Sequence, residues 1–170
     1  LVRVEKEVDT RYEIAAYIRK TSDQQGPGLL FENVKGHDMQ VAGGLFATIQ
    51  GAAHALQCGV DEISKTMIDG IQNPIPPRMV DSGPCQEVVY EGDNVDLYKL
   101  PIPLYSEKDS APYITMGVTI SKDPETGIRN MGLYRNELKG KNRVAISAQT
   151  VRGHLAEAER QGKGRPVPIA

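Results

Sequence analysis

Residues 130 to 135, within the stretch DPETGIRNMGLYR at positions 123 to 135, combine side chains that could do chemistry. The amide oxygen of Asn130 is a neutral ligand that suits Mg²⁺ or Mn²⁺. The planar guanidinium of Arg135 can hold a carboxylate through two hydrogen bonds. The Asp-Pro pair and Gly127 are typical of a tight turn. The stretch therefore predicts the turn and second strand of an antiparallel hairpin whose first strand covers residues 113 to 121.

Asn130 and Arg135 can share a site only if this second strand is irregular. Period-two alternation places even-numbered residues on one face and odd-numbered residues on the other, so the two side chains point to opposite faces of an ideal strand. A bulge or bend between them is required, and it would be easiest at Gly132. Without a bend, the same residues describe an ordinary core hairpin with a surface arginine and an asparagine near the turn.

His154 has the best position of the histidines for a metal site. Thr150 as N-cap, followed by apolar residues at helical spacing, predicts a final helix with His154 on its inward face. An inward imidazole and an amide oxygen from a neighbouring strand could bind a divalent ion, but two ligands are too few without a carboxylate and a phosphate. A lone inward histidine is more often a hydrogen-bonded core residue than a metal ligand. His37, in a Gly-flanked turn, and His54, among small helical residues, are expected to be structural.

Composition and missing motifs argue against several function classes. The 20 Lys and Arg and 22 Asp and Glu give a net charge of -2, which provides no general attraction to phosphate backbones, so nucleic acid is not an expected partner. Cys58 and Cys85 lack the spacing of a disulfide framework or zinc site, and a reducing cytoplasm is expected. No apolar run approaches the roughly 20 residues of a membrane span. The dinucleotide fingerprint and the Walker, G-x-S-x-G and H-E-x-x-H motifs are absent.

The elements that position these residues begin with an amphipathic helix. The stretch DTRYEIAAYIRK predicts a helix over residues 9 to 20. Asp9 or Thr10 is the expected N-cap, and Glu13 follows Thr10 at the spacing of a capping box.

The next segments predict the rest of an N-terminal α/β layer. Apolar runs at 29 to 34 and 39 to 46 predict two short strands. A helix capped by Thr48 is expected to end at Gly59, and a second helix is expected from about 60 to 72.

Beyond a Pro- and Gly-rich connection at 73 to 85, β-prone runs dominate. The prolines in LYKLPIP predict an edge or extended connector rather than a central strand. The change in composition places a domain boundary near residue 105. The final GKGRPVPIA has the character of a strand just beginning, so the chain is expected to be a fragment.

The stretch TGIRNMGLYR, with the preceding DLYKLPIP and YIT, resembles the UbiD family of reversible, non-oxidative decarboxylases that use prenylated flavin mononucleotide (FMN). LLFENVKG and VAGGLFAT are similar to the family's N-terminal α/β region, and the resemblance extends over nearly the whole chain. It implies an α/β (α+β) fold with an N-terminal α/β domain and connector at 1 to 105. The first part of a split β-barrel-like, prenylated-FMN-binding domain would follow at 106 to 170.

The resemblance also implies roles for individual residues. Asn130 would ligate a divalent metal that bridges to the flavin phosphate, with His154 as second ligand. Arg135 would be catalytic, beside the flavin ring in a network with acidic residues. Further cofactor contacts would come from Met131, Gly132, Leu133, Tyr134, Arg152 and Gly153. The carboxylates that complete the metal site and transfer the proton would lie beyond Ala170.

The implied activity is decarboxylation of an aromatic or α,β-unsaturated acid through a covalent adduct with the cofactor. Prenylated FMN and Mn²⁺ or another divalent metal are the implied cofactors, with K⁺ as a further candidate. The implied partners are a small-molecule carboxylic acid, a flavin prenyltransferase that supplies the cofactor, and further copies of the chain in a homo-oligomer. Two alternatives stay open: a flavin-binding split-barrel oxidoreductase that uses NAD(P)H, and a noncatalytic assembly fragment.

Overall fold

The computed structural model describes residues 1–122 and 126–146. The helices are α1 (Glu13–Asp23), α2 (Ile49–Leu56) and α3 (Ile63–Gln72), and short 3₁₀ turns lie at Val60–Glu62, Pro84–Gln86, Gly92–Asn94 and Leu97–Lys99. The strands are β1 (Val2–Val4), β2 (Leu29–Phe31), β3 (Val41–Gly43), β4 (Tyr113–Ile114), β5 (Val118–Lys122), β6 (Arg129–Leu133), β7 (Asn136–Gly140) and β8 (Arg143–Ile146). Helices and strands are mixed as expected, and in the described part of the chain the sheets are small and form no closed barrel.

The first sheet has the order β1-β2-β3, with β1 parallel and β3 antiparallel to β2. Helix α1 contributes Ile14, which is fully buried, and Tyr17, whose ring meets Phe31 edge-on with the centroids 5.9 Å apart. This sheet and helix enclose a small apolar core made of Val8, Ile14, Leu29, Phe31 and Val34. The predicted α/β layer is therefore present.

Helix α1 begins later than the sequence predicts. Residue Tyr12, in the left-handed region at φ 68°, precedes the first turn and forms no side-chain cap. The Glu13 carboxylate accepts the backbone N–H of Asp9 at 2.9 Å, and the Asp9 carboxylate accepts that of Arg11 at 2.8 Å. The predicted N-cap at Asp9 or Thr10 is therefore wrong, because Asp9 and Glu13 stabilise a turn that precedes the helix.

The other N-terminal elements lie close to their predicted places. Strands β2 and β3 are the two short strands expected from the apolar runs, although each has only three residues. The Thr48 hydroxyl accepts the N–H of Gly51 at 3.1 Å, which confirms the predicted cap of α2. Helix α2 ends at Leu56, where Gln57 takes a left-handed conformation at φ 55°, two residues before the expected Gly59.

The proline-rich connector joins the N-terminal region to the later strands. The backbone N–H of Leu104 donates to Thr10, and the N–H of Tyr12 donates to Leu104, each at 3.0 Å. Residues 101 to 103 are buried, and the N–H of Tyr113 donates to the Pro103 carbonyl at 3.1 Å. The segment lies outside the named strands, as its prolines predict, although it begins with the 3₁₀ turn Leu97–Lys99 rather than in an extended conformation. The domain boundary near residue 105 stays a prediction.

The later strands form two small antiparallel sheets, one with the order β4-β7-β8 and one made of β5 and β6. Strands β5 and β6 are the predicted hairpin, paired in register from Val118–Leu133 to Lys122–Arg129. Gly127 has φ 71°, as expected of a turn glycine. The predicted helix after Thr150 lies outside the described residues.

Candidate functional site

A bulge separates the two halves of the long hairpin. Ile114 pairs with Asn136 on one side, and Val118 pairs with Leu133 on the other. Three residues, 115 to 117, therefore stand opposite two, 134 and 135, and the first strand carries one extra residue. Such an insertion bends the ladder and increases its twist. The chain passes from one sheet to the other at this point.

The bulge is held by a close contact at Gly117. The backbone N–H of Tyr134 donates to the Gly117 carbonyl at 3.0 Å. The side-chain amide of the buried Asn136 donates to the Tyr134 carbonyl at 2.8 Å. A Cβ on Gly117 would overlap the Asn136 amide nitrogen, so only glycine leaves room for this arrangement.

The irregularity begins at Tyr134, two residues beyond Gly132, the position where a bend was expected to be easiest. Gly132 pairs normally with Thr119 inside β6, and regular pairing stops at Tyr134 and Arg135. The predicted interruption between Asn130 and Arg135 is therefore present, but its expected position at Gly132 is wrong. The extra residue belongs to the opposite strand, where no sequence pattern indicated a bulge.

The alternation of exposure continues through this interruption. Asn130 and Tyr134 are half-buried and Asn136 is buried, whereas Leu133 and Arg135 are exposed. The two proposed site residues therefore remain on opposite sides of their own strand. Five residues of extended chain span about 16 Å, so Asn130 and Arg135 can serve only a ligand long enough to reach both.

The inner face of the β5–β6 hairpin is polar. Thr119 and Ser121 are 7% and 4% exposed, and they pair with Gly132 and Asn130, respectively. Among residues 1–122 and 126–146, the side chains of Thr119, Ser121 and Asn130 form no hydrogen bond. The outer face carries the exposed apolar side chains of Val118, Ile120, Met131 and Leu133. The usual arrangement, with apolar residues inside, is reversed.

Arg135 lies at a second cluster of side chains, next to the β4–β7 strand pair. Its guanidinium carbon lies 5.6 Å from the centroid of the Tyr113 ring, within the range of a cation–π interaction. Tyr113 is the Cα partner of Glu137, whose carboxylate accepts hydrogen bonds from Lys139 at 2.7 Å and from Ser110. The Lys139 ammonium, as the main cause, and the Ser110 hydroxyl lower the pKa of Glu137. Arg135 thus lies over the ring of Tyr113, whose strand partner is the Glu137 carboxylate.

An apolar cavity of about 280 Å³ adjoins Tyr113 and Thr115. The Tyr105 and Thr115 hydroxyls, 3.0 Å apart, share a hydrogen bond. The cavity lies where the connector, helix α1 and strand β3 meet the first strand of the hairpin. Its lining includes Ile18, Val41, Leu100, Ile102 and Met116.

Sequence reasoning missed Thr119, Ser121 and Tyr113. The alternation Val-Thr-Ile-Ser at 118 to 121 predicts a half-buried strand, and such strands ordinarily turn their hydroxyls to water. The available signal was the register of the hairpin, because the pairing of Ser121 with Asn130 follows once the turn is located. The burial of the polar face does not follow from that register.

The remaining predicted residues divide into three groups. Gly132 and Tyr134 are half-buried beside Asn130, whereas Met131 and Leu133 are exposed on the other face. Arg152, Gly153 and His154 lie outside the described residues.

Neither of the other two histidines forms part of a metal cluster. His37 Nδ1 lies 3.1 Å from the Lys99 carbonyl oxygen, which supports its structural role, and His54 is exposed on α2. Within the described ranges, no group of three or more His, Cys, Asp or Glu side chains could hold a metal ion. No helix in this part of the chain has the length and apolar character needed to cross a membrane.

Comparison with known proteins gives two family matches. Residues 1–71 match the 3-octaprenyl-4-hydroxybenzoate carboxy-lyase N-terminal domain, and residues 78–170 match the Rift-related domain of the same family, UbiD. An uncharacterised protein of Synechocystis sp. is 34% identical over all of this chain, which spans 39% of that protein.

Solved structures give the same result. The evolved dimeric form of the UbiD-class enzyme HmfF from Pelotomaculum thermopropionicum, in complex with prenylated FMN, is 35% identical with a TM-score of 0.90, over 98% of this chain and 39% of that one. Vanillic acid decarboxylase of Sedimentibacter hydroxybenzoicus, in its open form, is 26% identical with a TM-score of 0.84, over 99% of this chain and 38% of that one. Because a family model covers more than half of the chain and the fold agrees, the chain belongs to the UbiD family of carboxy-lyases.

Proposed function

We propose that the protein carrying this chain is a prenylated-FMN-dependent decarboxylase of aromatic or α,β-unsaturated carboxylic acids, acting reversibly and without net oxidation. The observation that best supports this function is the buried polar face at Asn130. It lies on the hairpin that carries Arg135 at its other end. The chain spans about two fifths of the relatives it matches. The activity is therefore proposed for the complete polypeptide.

The polar face fits a phosphate and a divalent ion. A buried hydroxyl without a partner is destabilising by roughly 1–3 kcal/mol, and Thr119 and Ser121 provide two such groups. A phosphate offers only acceptor oxygens, which hydroxyl donors can bind. The Asn130 amide oxygen is a ligand that Mn²⁺ accepts, and being neutral it adds no repulsion beside a phosphate. These residues therefore fit the phosphate end of a flavin nucleotide.

Arg135 fits the opposite end of the ligand. Its fixed positive charge can bind a substrate carboxylate through two parallel hydrogen bonds, and it can keep an adjacent acid ionised until that acid accepts a proton. The guanidinium lies over the face of the Tyr113 ring, which helps to hold it in place. When bound, the prenylated flavin would supply the electron sink for loss of CO₂.

The proposed cofactor site also includes residues outside the described part of the chain. Arg152, Gly153 and His154 would complete it, with His154 as the second metal ligand. We propose no K⁺ ligand among the described residues. Homo-oligomerisation and cofactor supply by a flavin prenyltransferase stay predictions.

The test is expression of the complete polypeptide with a flavin prenyltransferase and Mn²⁺, followed by assay against a panel of aromatic and acrylic acids. We expect CO₂ release, and exchange of ¹³CO₂ into the substrate carboxyl, without NAD(P)H. Flavin reduction that requires NAD(P)H, with no exchange, would instead identify an oxidoreductase. A correctly folded oligomer that retains no flavin would identify an assembly module.

A further inference from the structure

The β5–β6 hairpin holds a buried hydroxyl directly opposite the proposed metal ligand. Ser121 is the Cα partner of Asn130 and is 4% exposed. Directly paired residues on one face of an antiparallel ladder have Cβ atoms about 4.5–5.5 Å apart. A single tetrahedral group above the pair is therefore within reach of both side chains.

The Ser121 hydroxyl forms no hydrogen bond with any described residue. Buried polar groups in native proteins nearly always have a partner, so an exception requires an explanation. An alanine at this position would remove the unsatisfied group at little cost to strand packing. The serine therefore indicates a partner that is not a described part of the chain.

We propose that Ser121 is a phosphate-binding residue, whose hydroxyl donates to the phosphate of the flavin nucleotide beside Asn130. This inference rests on the proposed function and adds to it a residue on the strand opposite the recognised motif. Phosphate oxygens only accept hydrogen bonds, and the Ser121 hydroxyl can donate one. A metal-bound Asn130 would use its oxygen and keep its NH₂ group as a donor, so Ser121 would add a second donor from the opposite strand.

Thr119 is the neighbouring candidate and has a weaker claim. It is 7% exposed and stands opposite Gly132, which is covered by the Tyr134 ring. Thr119 is therefore displaced from Asn130 by one pleat of the hairpin. Ser121 is the residue that stands directly opposite Asn130.

The experiment compares FMN with riboflavin, which lacks the phosphate, by titrating the complete apoprotein and following flavin fluorescence in the presence of Mn²⁺. In the unaltered protein, FMN should bind more tightly than riboflavin. Ser121→Ala should lower the affinity for FMN by about tenfold or more, since hydrogen bonds to charged groups are among the stronger ones. Its affinity for riboflavin should be unchanged. Ser64→Ala, at an exposed serine of α3, is the matched control and should alter neither affinity.

Other results would overturn the inference. Equal weakening of both ligands would mean that Ser121 only supports the strand, and an unchanged FMN affinity would mean that a buried water satisfies the hydroxyl. Ser121→Cys keeps nearly the same volume with a weaker donor, so it provides the same FMN-specific test if the alanine variant does not fold. If the unaltered protein binds neither flavin, the proposed function itself fails. A preference for FMN that Ser121→Ala retains would remove only the present inference.

Discussion

The ring of Tyr134 lies on Gly132, so close that a Cβ added to the glycine would come within 2.6 Å of a ring carbon and 2.7 Å of the phenolic oxygen. The two residues are neighbours on the inner face of the strand, and the glycine has an ordinary negative or extended φ. Any larger residue at position 132 would therefore require the Tyr134 ring to move, although the backbone conformation would accept it. The contact lies next to the bulge, of which Tyr134 is part.

We predict that Gly132→Ala destabilises the protein by about 1–3 kcal/mol, because the ring must move to admit the methyl group. The free energy of unfolding, measured by urea titration of the complete protein, would show this as a lower midpoint. Gly140→Ala is the control, since a Cβ there meets no atom within 4 Å. Equal effects of the two substitutions would mean that the Tyr134 contact is unimportant. Replacing Tyr134 with Leu in the Gly132→Ala background should recover part of the loss.

The sequence predicted those parts of the site that depend on local chemistry. The turn glycine at 127 and the alternation of the flanking runs determine the hairpin and its register, and Thr48 caps α2 because a hydroxyl satisfies a free backbone N–H. The bulge depends instead on the fit of the Asn136 amide against Gly117, across two strands. Such a contact between distant residues has no periodic signature. For the same reason, the burial of Ser121 could not be predicted.

We predict that Arg135→Ala lowers the turnover number by about a hundredfold, the usual effect of removing a group that stabilises charge in the transition state. Tyr113→Leu should lower it by about two- to fivefold, because an exposed cation–π contact contributes only about 0.5–1 kcal/mol. Tyr113→Phe keeps the ring and should retain activity. Separate determination of kcat and KM would check these expectations. Equal losses for Tyr113→Phe and Tyr113→Leu would contradict the role of the ring and favour the hydroxyl.

The ion pair at Glu137 predicts a dependence of stability on pH. Hydrogen bonds from Lys139, which has the larger effect, and from Ser110 hold the pKa of Glu137 below its ordinary value of 4.5. The folded state therefore binds this proton less readily than the unfolded state. The stabilisation is fully present above pH 4.5 and is lost as the pH falls through the lower, folded pKa. Lys139→Gln should raise the pKa of Glu137 toward its ordinary value.

The measurement is a carboxyl ¹³C titration by NMR, together with unfolding midpoints from pH 6 down to pH 3. Lys139→Gln should show a smaller loss of stability on acidification than the unaltered protein. Lys108→Gln, at an exposed lysine with no ion pair in the described part of the chain, should leave the Glu137 titration unchanged. If Lys139→Gln also leaves it unchanged, the hydrogen bond with Lys139 does not determine this pKa.

Asn130 gives the most direct test of the metal site. Asn130→Ala removes the amide oxygen and should reduce Mn²⁺ and FMN retention together, by at least about tenfold, because each ligand helps to hold the other. Asn130→Asp keeps an oxygen ligand but adds negative charge beside the phosphate, so it should retain Mn²⁺ better than FMN. Metal analysis and flavin absorbance of the purified complete protein give both quantities. Asn142→Ala, at an exposed turn between β7 and β8, is the control. Stoichiometric Mn²⁺ and flavin in Asn130→Ala would exclude Asn130 as a ligand, and the polar face of β5–β6 would then need another partner.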